Sequence, residues 1–427
     1  VLFQSDTSFS GWAHLTYRGA PLQFYGVKYY TFKNLKFSTT RISSVVNFSA
    51  ANEGITFLND SLVGTNVNTS IRDFNSVFYQ SSSSSGVQKN LVIKHCVILN
   101  GSRGIHLIGN GGTGIKHPYN VEITNNKILG FYYTGVFLYN TPHSLVHKNI
   151  IDDNYSHTSG NGVFVQGCVS TTLSANKISI RAGNGVDLRY NIGTQSTDAV
   201  RMFNNFIFFK DTSGANLQHG IRGDNNNYLT VAFNSVKVSK GTNASTAIYM
   251  QSGLGWKIVN NNFSNFGTGL VQQYGNASGV TLLNHNNSYY NGTNLGFYNG
   301  TVGSLSAWRT ATGQAGNSKN VHPQFYSFSD LHTNSLDFDG QGTPVPDIQE
   351  DIDGHLRNTT SPDIGADEFT IFNNDASIVS INESSVCGGN NPVFITLRNV
   401  GTNTLNSTTI GWKISTNGGA FINQPSY

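Results

Sequence analysis

The sequence predicts an all-β chain folded as a right-handed parallel β-helix solenoid of about ten coils. Three observations predict it: an Asn that recurs two residues ahead of an apolar one, a Gly that recurs at the head of a short alternating strand, and no helical periodicity. The Asn appears at Asn126, Asn149, Asn176, Asn205, Asn234 and Asn261, at spacings of 23 to 29 residues. That period suits one rung with loops of varying length. Leu35, Asp60 and Cys96 hold the same frame earlier, and His285 holds it later. At a sharp turn an Asn tolerates left-handed backbone angles, and its amide can bond the equivalent amide one rung away.

The Gly-anchored strands begin at Gly104, Gly135, Gly162, Gly185, Gly220, Ala247, Gly269 and Gly296. Their period-two pattern buries one face. Ile105, Val136, Val163, Val186, Ile221, Ile248, Leu270 and Phe297 are expected to stack in one inward column. Such a stack leaves an open sheet edge at its end, which needs cover. Residues 304–370 lose the repeat and hold four of the nine prolines, so they read as an irregular C-terminal cap over the last rung of a solenoid spanning 1–303.

Composition agrees with this reading and removes several function classes. Of 427 residues only 11% are charged, while 46 are Gly and 37% are hydrophobic, the profile of a β-rich and turn-rich chain with a sizeable core. A net charge of +3 with no run of Lys or Arg gives no footprint for nucleic acid or anionic membrane. Cys96, Cys168 and Cys387 are too dispersed for a disulfide framework or a Cys-x-x-Cys metal site. No apolar run of about 18 residues spans a membrane. The chain opens at Val1 without a leader and stops at Tyr427 in mid-domain, so a longer parent with further domains is expected.

The repeat as a whole resembles the parallel β-helix repeat family that shares the pectate-lyase-like fold. The segments Val321–Phe325, Asp330–His332 and Asp351–Arg357, closing on Pro362–Phe369, resemble the tail that comes after β-helices in secreted and cell-surface proteins of Bacteroidetes-type bacteria. Residues 371–427 alternate in Ala376–Ser380, Val393–Gly401 and Thr409–Ile414 and resemble the opening half of an immunoglobulin-like β-sandwich of the CARDB type, with Trp412 in its core. The resemblance implies a secreted or surface-displayed protein with a carbohydrate-related role.

Chemistry is expected on the outward positions of the Gly-anchored strand. One stripe runs His106, Phe137, Phe164, Asp187, Arg222 and Tyr249, and a second runs Ile108, Tyr139, Gln166, Arg189, Asp224 and Gln251. Aromatic rings that stack on sugar faces, beside polar groups that read hydroxyls, are the composition of a sugar-binding groove. His106, Phe137, Tyr139, Phe164, Gln166, Tyr249 and Gln251 are therefore candidate polysaccharide contacts. Asp187 is expected to face Arg222, and Arg189 to face Asp224, either as surface salt bridges or as the Arg that neutralises a uronate carboxylate and the Asp that removes a proton or holds calcium.

Two functions fit this face: a non-catalytic, adhesive or polysaccharide-binding β-helix, or a lyase or glycoside hydrolase of uronate-containing polymers. The first is preferred, because pectate lyases carry several calcium-binding carboxylates on neighbouring rungs and only Asp187 and Asp224 occur on this face. No cofactor is required by either. Asp337–Asp339 and Asp351–Asp353, each followed by Gly, read as a calcium loop or as turns closed by Asp side chains. Asp152 and Asp153 read as solvated turn residues, and His117, His143, His147 and His157 as loop histidines without metal-ligand spacing.

Overall fold

The computed structural model describes residues 1–4, 13–66, 73–80, 88–109, 119–153, 159–381, 393–416 and 419–426. His117, His157 and Cys387 lie outside them. The chain is a three-sided parallel solenoid. Each coil gives one short strand to each of three sheets, here A, B and C in chain order, eleven to each, and sheet C gains a twelfth, Thr301–Val302, that turns back antiparallel on Gly296–Tyr298. One coil reads Glu122–Thr124 in A, Lys127–Leu129 in B and Thr134–Tyr139 in C, and each strand pairs in parallel with its counterpart in the next coil. Parallel pairing needs a long crossover, and the rest of the coil supplies it.

The interior is a set of apolar columns. Ile123, Val146, Leu173, Met202, Val231 and Ile258 stack from sheet A, and Ile128, Ile151, Ile178, Ile207, Val236 and Phe263 from sheet B. Sheet C contributes Ile105, Val136, Val163, Val186, Ile221 and Ile248 in register. The next two places belong to Gln272 and Gly296, not to Leu270 and Phe297. The frame slips there because the interior turns polar: the Gln272 amide donates to Ser288 Oγ (2.5 Å) and its carbonyl accepts from the Tyr274 hydroxyl (2.7 Å).

The A–B corner is closed by a ladder of buried amides. Asn176 Nδ2 donates to Asn205 Oδ1 (2.9 Å) and to Val146 O (2.9 Å), while its Oδ1 accepts from the backbone N and Nδ2 of Asn149 (3.1 and 3.0 Å). Both donors and both lone pairs are used, which a buried amide requires. The same bonds link Asn126 through Asn149, Asn176, Asn205, Asn234 and Asn261 to Asn286, with Asp60 and Cys96 in the frame below. Two expectations are corrected here. The left-handed residue is the one before each ladder Asn (Asn125, Lys148, Ala175, Asn204, Phe233, Asn260), and the last member is Asn286, with His285 in the left-handed seat. The ladder residue itself must turn inward to bond its neighbour, so the preceding residue makes the turn.

At the B–C corner the anchoring glycines are steric. A Cβ on Gly104, Gly135, Gly162, Gly185 or Gly220 would run into the γ-methyl of Ile128, Ile151, Ile178, Ile207 or Val236 and into the carbonyl of the next coil. A second, shorter ladder closes the C–A corner and went unread in the sequence because its members differ in type. Thr141 N donates to Cys168 Sγ (3.2 Å), Cys168 N to Asn191 Oδ1 (2.8 Å), and Asn191 Nδ2 to Asn226 Oδ1 (2.9 Å). Burial pushes the Cys168 thiol up to about 11 and the Cys96 thiol up to about 12, so both are structural groups.

Beyond the coils, the structure adds an element that periodicity did not reveal, the helix Leu305–Thr312. Ser304 Oγ accepts from Ala307 N (3.2 Å), Gly313 closes the helix in the left-handed region, and Trp308 packs over Tyr274 and Tyr298 at the end of the stack. Of the segment expected to cap the last rung, this helix and residues 314–319 do so, Ala315 N donating to Leu283 O (2.8 Å) and Lys319 N to Asn286 O (2.8 Å). Residues 321–369 instead run back along the flank as a strap over the A–B corner, gripping the residues that turn outward there. Arg357 Nη2 donates to Asn204 Oδ1 (2.8 Å) with its guanidinium over Phe233, Asn260 Nδ2 donates to Thr343 O (2.7 Å), and His285 Nδ1 meets Gln341 O (2.8 Å). Phe206 and Phe208, on the outer face of sheet B, are buried against Leu331, Ile352 and Ala366 of the strap.

The C-terminal residues form two antiparallel ribbons, Ala376–Ile381 with Ile395–Asn399 and Lys413–Ile414 with Ile422–Asn423. Trp412 is 48% exposed, with Nε1 donating to Pro425 O (2.8 Å), so it is not a core residue; no second sheet is packed on it among the described residues.

Asn205→Ala removes acceptors and donors from both neighbouring coils and leaves buried groups unpaired, so it is expected to destabilise the chain by about 1–3 kcal/mol in urea unfolding. Gly185→Ala is expected to cost a similar amount through overpacking, about 1–3 kcal/mol, whereas Gly316→Ala, which meets nothing within 4 Å, is expected to be close to neutral.

Candidate functional site

Parallel stacking fixes what the outer face of sheet C presents, since each side chain sits one coil from its counterpart. The register aligns His106, Phe137, Phe164, Asp187, Arg222 and Tyr249. It also aligns Ile108, Tyr139, Gln166, Arg189 and Asp224, while Gln251 lies just past the last strand of that column. A third outward column, Arg103, Thr134, Asn161, Asn184, His219 and Thr246, completes the face. Its signal was present in the sequence as the polar residue preceding each anchoring Gly or Ala.

The aromatic half of the stripe is bound to itself. Phe137 and Phe164 stack face to face at 4.7 Å and 2°, His106 sits 5.4 Å from Tyr79 and 4.8 Å from Phe137, and the Arg103 guanidinium lies 4.5 Å over Phe137. Ring faces expected to stack on sugar are thus occupied by one another, and the column offers edges outward. His106 is 1% exposed and, among the described residues, neither ring nitrogen has a hydrogen-bond partner. Burial, reinforced by the Arg103 charge, pushes its pKa down to about 3, so the ring is neutral. His219 is similarly lowered to about 4 by burial and by Arg222; its Nδ1 meets Thr246 Oγ1 (2.8 Å) and its ring stacks on Tyr249.

The charged half converges on one carboxylate. Asp187 is 0% exposed and accepts from Arg189 Nε (3.0 Å) and Nη2 (2.7 Å), Arg222 Nη1 (3.2 Å) and Asn184 Nδ2 (3.2 Å). This corrects two expectations. The pair is no surface salt bridge, and Arg189 folds back along its own strand to Asp187 instead of bonding Asp224, which accepts from Ser252 Oγ (2.8 Å). Residues two apart on a strand share a face, so Arg189 reaches Asp187 without crossing coils. With side chains 36% and 19% exposed, Arg189 and Arg222 keep Nη1 and Nη2 respectively without a protein partner among the described residues.

Elsewhere, Asp153 is buried, contrary to a solvated turn: its carboxylate accepts twice from Arg181 N (3.0 Å each), and Lys210 pairs with Asp152 (2.6 Å). His147 meets Ser174 Oγ (2.9 Å), and His143 holds a left-handed turn. Asp351 closes a turn by accepting from the amides of Asp353, Gly354 and His355 (2.8–2.9 Å). Among the described residues the only three His, Cys, Asp or Glu side chains close enough to share an ion are His332, Asp353 and Asp367, under the strap on sheet B and not on sheet C.

No protein-family model matches the chain, and no curated protein matches it. Among solved structures it is similar to the crystal structure of the periplasmic alginate epimerase AlgG, at 14% identity and a TM-score of 0.36, covering 60% of this chain. The match spans 57% of that chain's length.

Asp187→Ala leaves two guanidiniums around a buried vacancy and is expected to destabilise toward the lower end of about 3–5 kcal/mol, since the arginines can turn to water. Arg189→Ala, which leaves Arg222 and Asn184 bonded to the carboxylate, is expected to cost less, about 1–3 kcal/mol; equilibrium unfolding of both variants checks the asymmetry. For His106, the unfolded chain titrates at 6.5 and the folded chain at about 3, so the unfolded state holds the extra proton between those values. Stability contributed by the neutral ring is complete above 6.5 and falls as pH drops toward 3. Unfolding of His106→Phe measured across that window is expected to show a shallower acid loss than the parent.

Proposed function

We propose that the protein is a non-catalytic polysaccharide-binding solenoid, secreted or displayed at the cell surface, whose sheet C face contacts a uronate-containing glycan. One observation carries the reading: Arg189 and Arg222 share a single buried carboxylate and keep N–H groups free at the surface. Asp187 holds two guanidinium forks in place with donors still pointing outward, which suits bidentate recognition of carboxylates, while Asp224 beside Arg189 balances the local charge. Gln166, Tyr139, Asp224, Tyr249 and Gln251 flank them with groups able to read hydroxyls. Against catalysis by Asp187, its carboxylate is saturated with donors and is not free to act as the base that a lyase needs.

The reading is tested by affinity electrophoresis of the chain in gels containing polygalacturonate, alginate, chondroitin or dextran, with absorbance of unsaturated product followed in parallel. Retention by one acidic polymer and not by dextran, weakened at least about tenfold in the Arg189→Ala/Arg222→Ala double variant, is the expected result. Release of unsaturated product would replace the binding reading with the lyase one.

A further inference from the structure

On the opposite flank from sheet C, three separate parts of the strap meet over the outer face of sheet B. His332 packs edge-on against Phe206 (4.8 Å), Asp353 faces Lys177 of the coil beneath (3.3 Å), and Asp367 closes the group. One ligand atom from each of His332, Asp353 and Asp367 lies within 4.8 Å of the other two. His332 Nε2 is 2.6 Å from Asp353 Oδ2, while Nδ1 bonds the Asp330 carboxylate. Asp367 is the informative member. It is 7% exposed and, among the described residues, its carboxylate takes no side-chain hydrogen bond; the Thr333 amide and the His332 ring bear on it.

We infer that His332, Asp353 and Asp367 form a binding site for a divalent first-row transition cation, Zn²⁺ or Mn²⁺, that fastens the strap to itself above sheet B. Two ligands about 2.1 Å from one ion are about 3.0–3.4 Å apart at octahedral or tetrahedral angles, so the site closes with side-chain shifts on the order of an ångström. The imidazole selects a transition cation over calcium, which takes an all-oxygen set. Asp330 supplies the outer partner that a ligating histidine needs: by taking Nδ1–H it orients the ring and points Nε2, which now donates to Asp353, toward the site. The ion takes the place of the proton that Nε2 now shares with Asp353, and it puts a divalent charge where the His332 imidazolium now faces the buried Asp367 carboxylate. Three ligands from positions 332, 353 and 367 leave coordination places for water, and the enclosure by Phe206 makes the site structural.

The test is calorimetric titration of the chelator-treated full chain with Zn²⁺ and with Mn²⁺, alongside Asp367→Asn and His332→Gln, with far-UV circular dichroism verifying that each variant is folded. Saturable one-to-one binding that falls at least about tenfold in Asp367→Asn and in His332→Gln is expected. The thermal midpoint should rise with the ion in the parent and stay put in Asp367→Asn. Absence of saturable binding, or binding and midpoint shift unchanged in both folded variants, would overturn the site. Should His332→Gln misfold, Asp367→Asn decides alone, because an amide there keeps the shape and loses only the anionic ligand.

Discussion

Every side chain in this solenoid has its own counterpart as a neighbour, one coil above and one below, and the buried amide ladder at the A–B corner is what makes that arrangement tolerable. A corner in each coil must turn the chain sharply without leaving peptide groups unpaired in a dry interior. The Asn ladder meets this by spending all four hydrogen-bonding valences of each amide within the stack, so the solution repeats without an end until the sequence changes. Asn286 hands the last bond to Ser318 Oγ (3.2 Å), which lets an irregular segment take over. The inward methyl columns and the anchoring glycines hold their register only because this corner does.

The same neighbour rule limits what a face can do. Like residues stacked on like residues consume one another's surfaces: the rings of Phe137 and Phe164 face each other, and the charges at Asp187, Arg189 and Arg222 neutralise mostly among themselves. Recognition is therefore left to ring edges and to the donors that the internal network does not use. A flat sheet whose binding capacity is a remainder after self-satisfaction favours long, repetitive ligands that gather many weak contacts over a small, tightly enclosed one.

Repetition is also why much of the fold was legible in the sequence. The Asn period marked the corner, the Gly marked the third strand, and the outward stripe from His106 to Tyr249 comes from counting two residues along each strand. Reading stopped where the repetition did. The left-handed seat escaped because it is filled by Asn, Lys, Ala and Phe alike, and the second ladder because Thr141, Cys168 and Asn191 share a geometry but not a residue type. The frame slipped at Leu270 where the core became polar. Most of the candidate site's positions were readable, but its pairing was not, since the choice of Asp187 over Asp224 by Arg189 is a matter of rotamer. The strap was least accessible, for its bonds join residues as far apart as Asn204 and Arg357; the two outward phenylalanines, Phe206 and Phe208, were the clue that something covers sheet B.

A solenoid without such a strap behaves as a one-dimensional array, in which the end coil can fray while the rest stands. Here residues 321–369 reach from His285 back to Lys177, so several coils are tied by one covalent segment that docks only after all of them exist. Loss of any one of those coils removes part of the strap's seat and weakens its hold on the others. The strap therefore turns a chain of local equilibria into a single cooperative unit over its length, with the uncovered N-terminal coils as the part of the molecule free to open on its own.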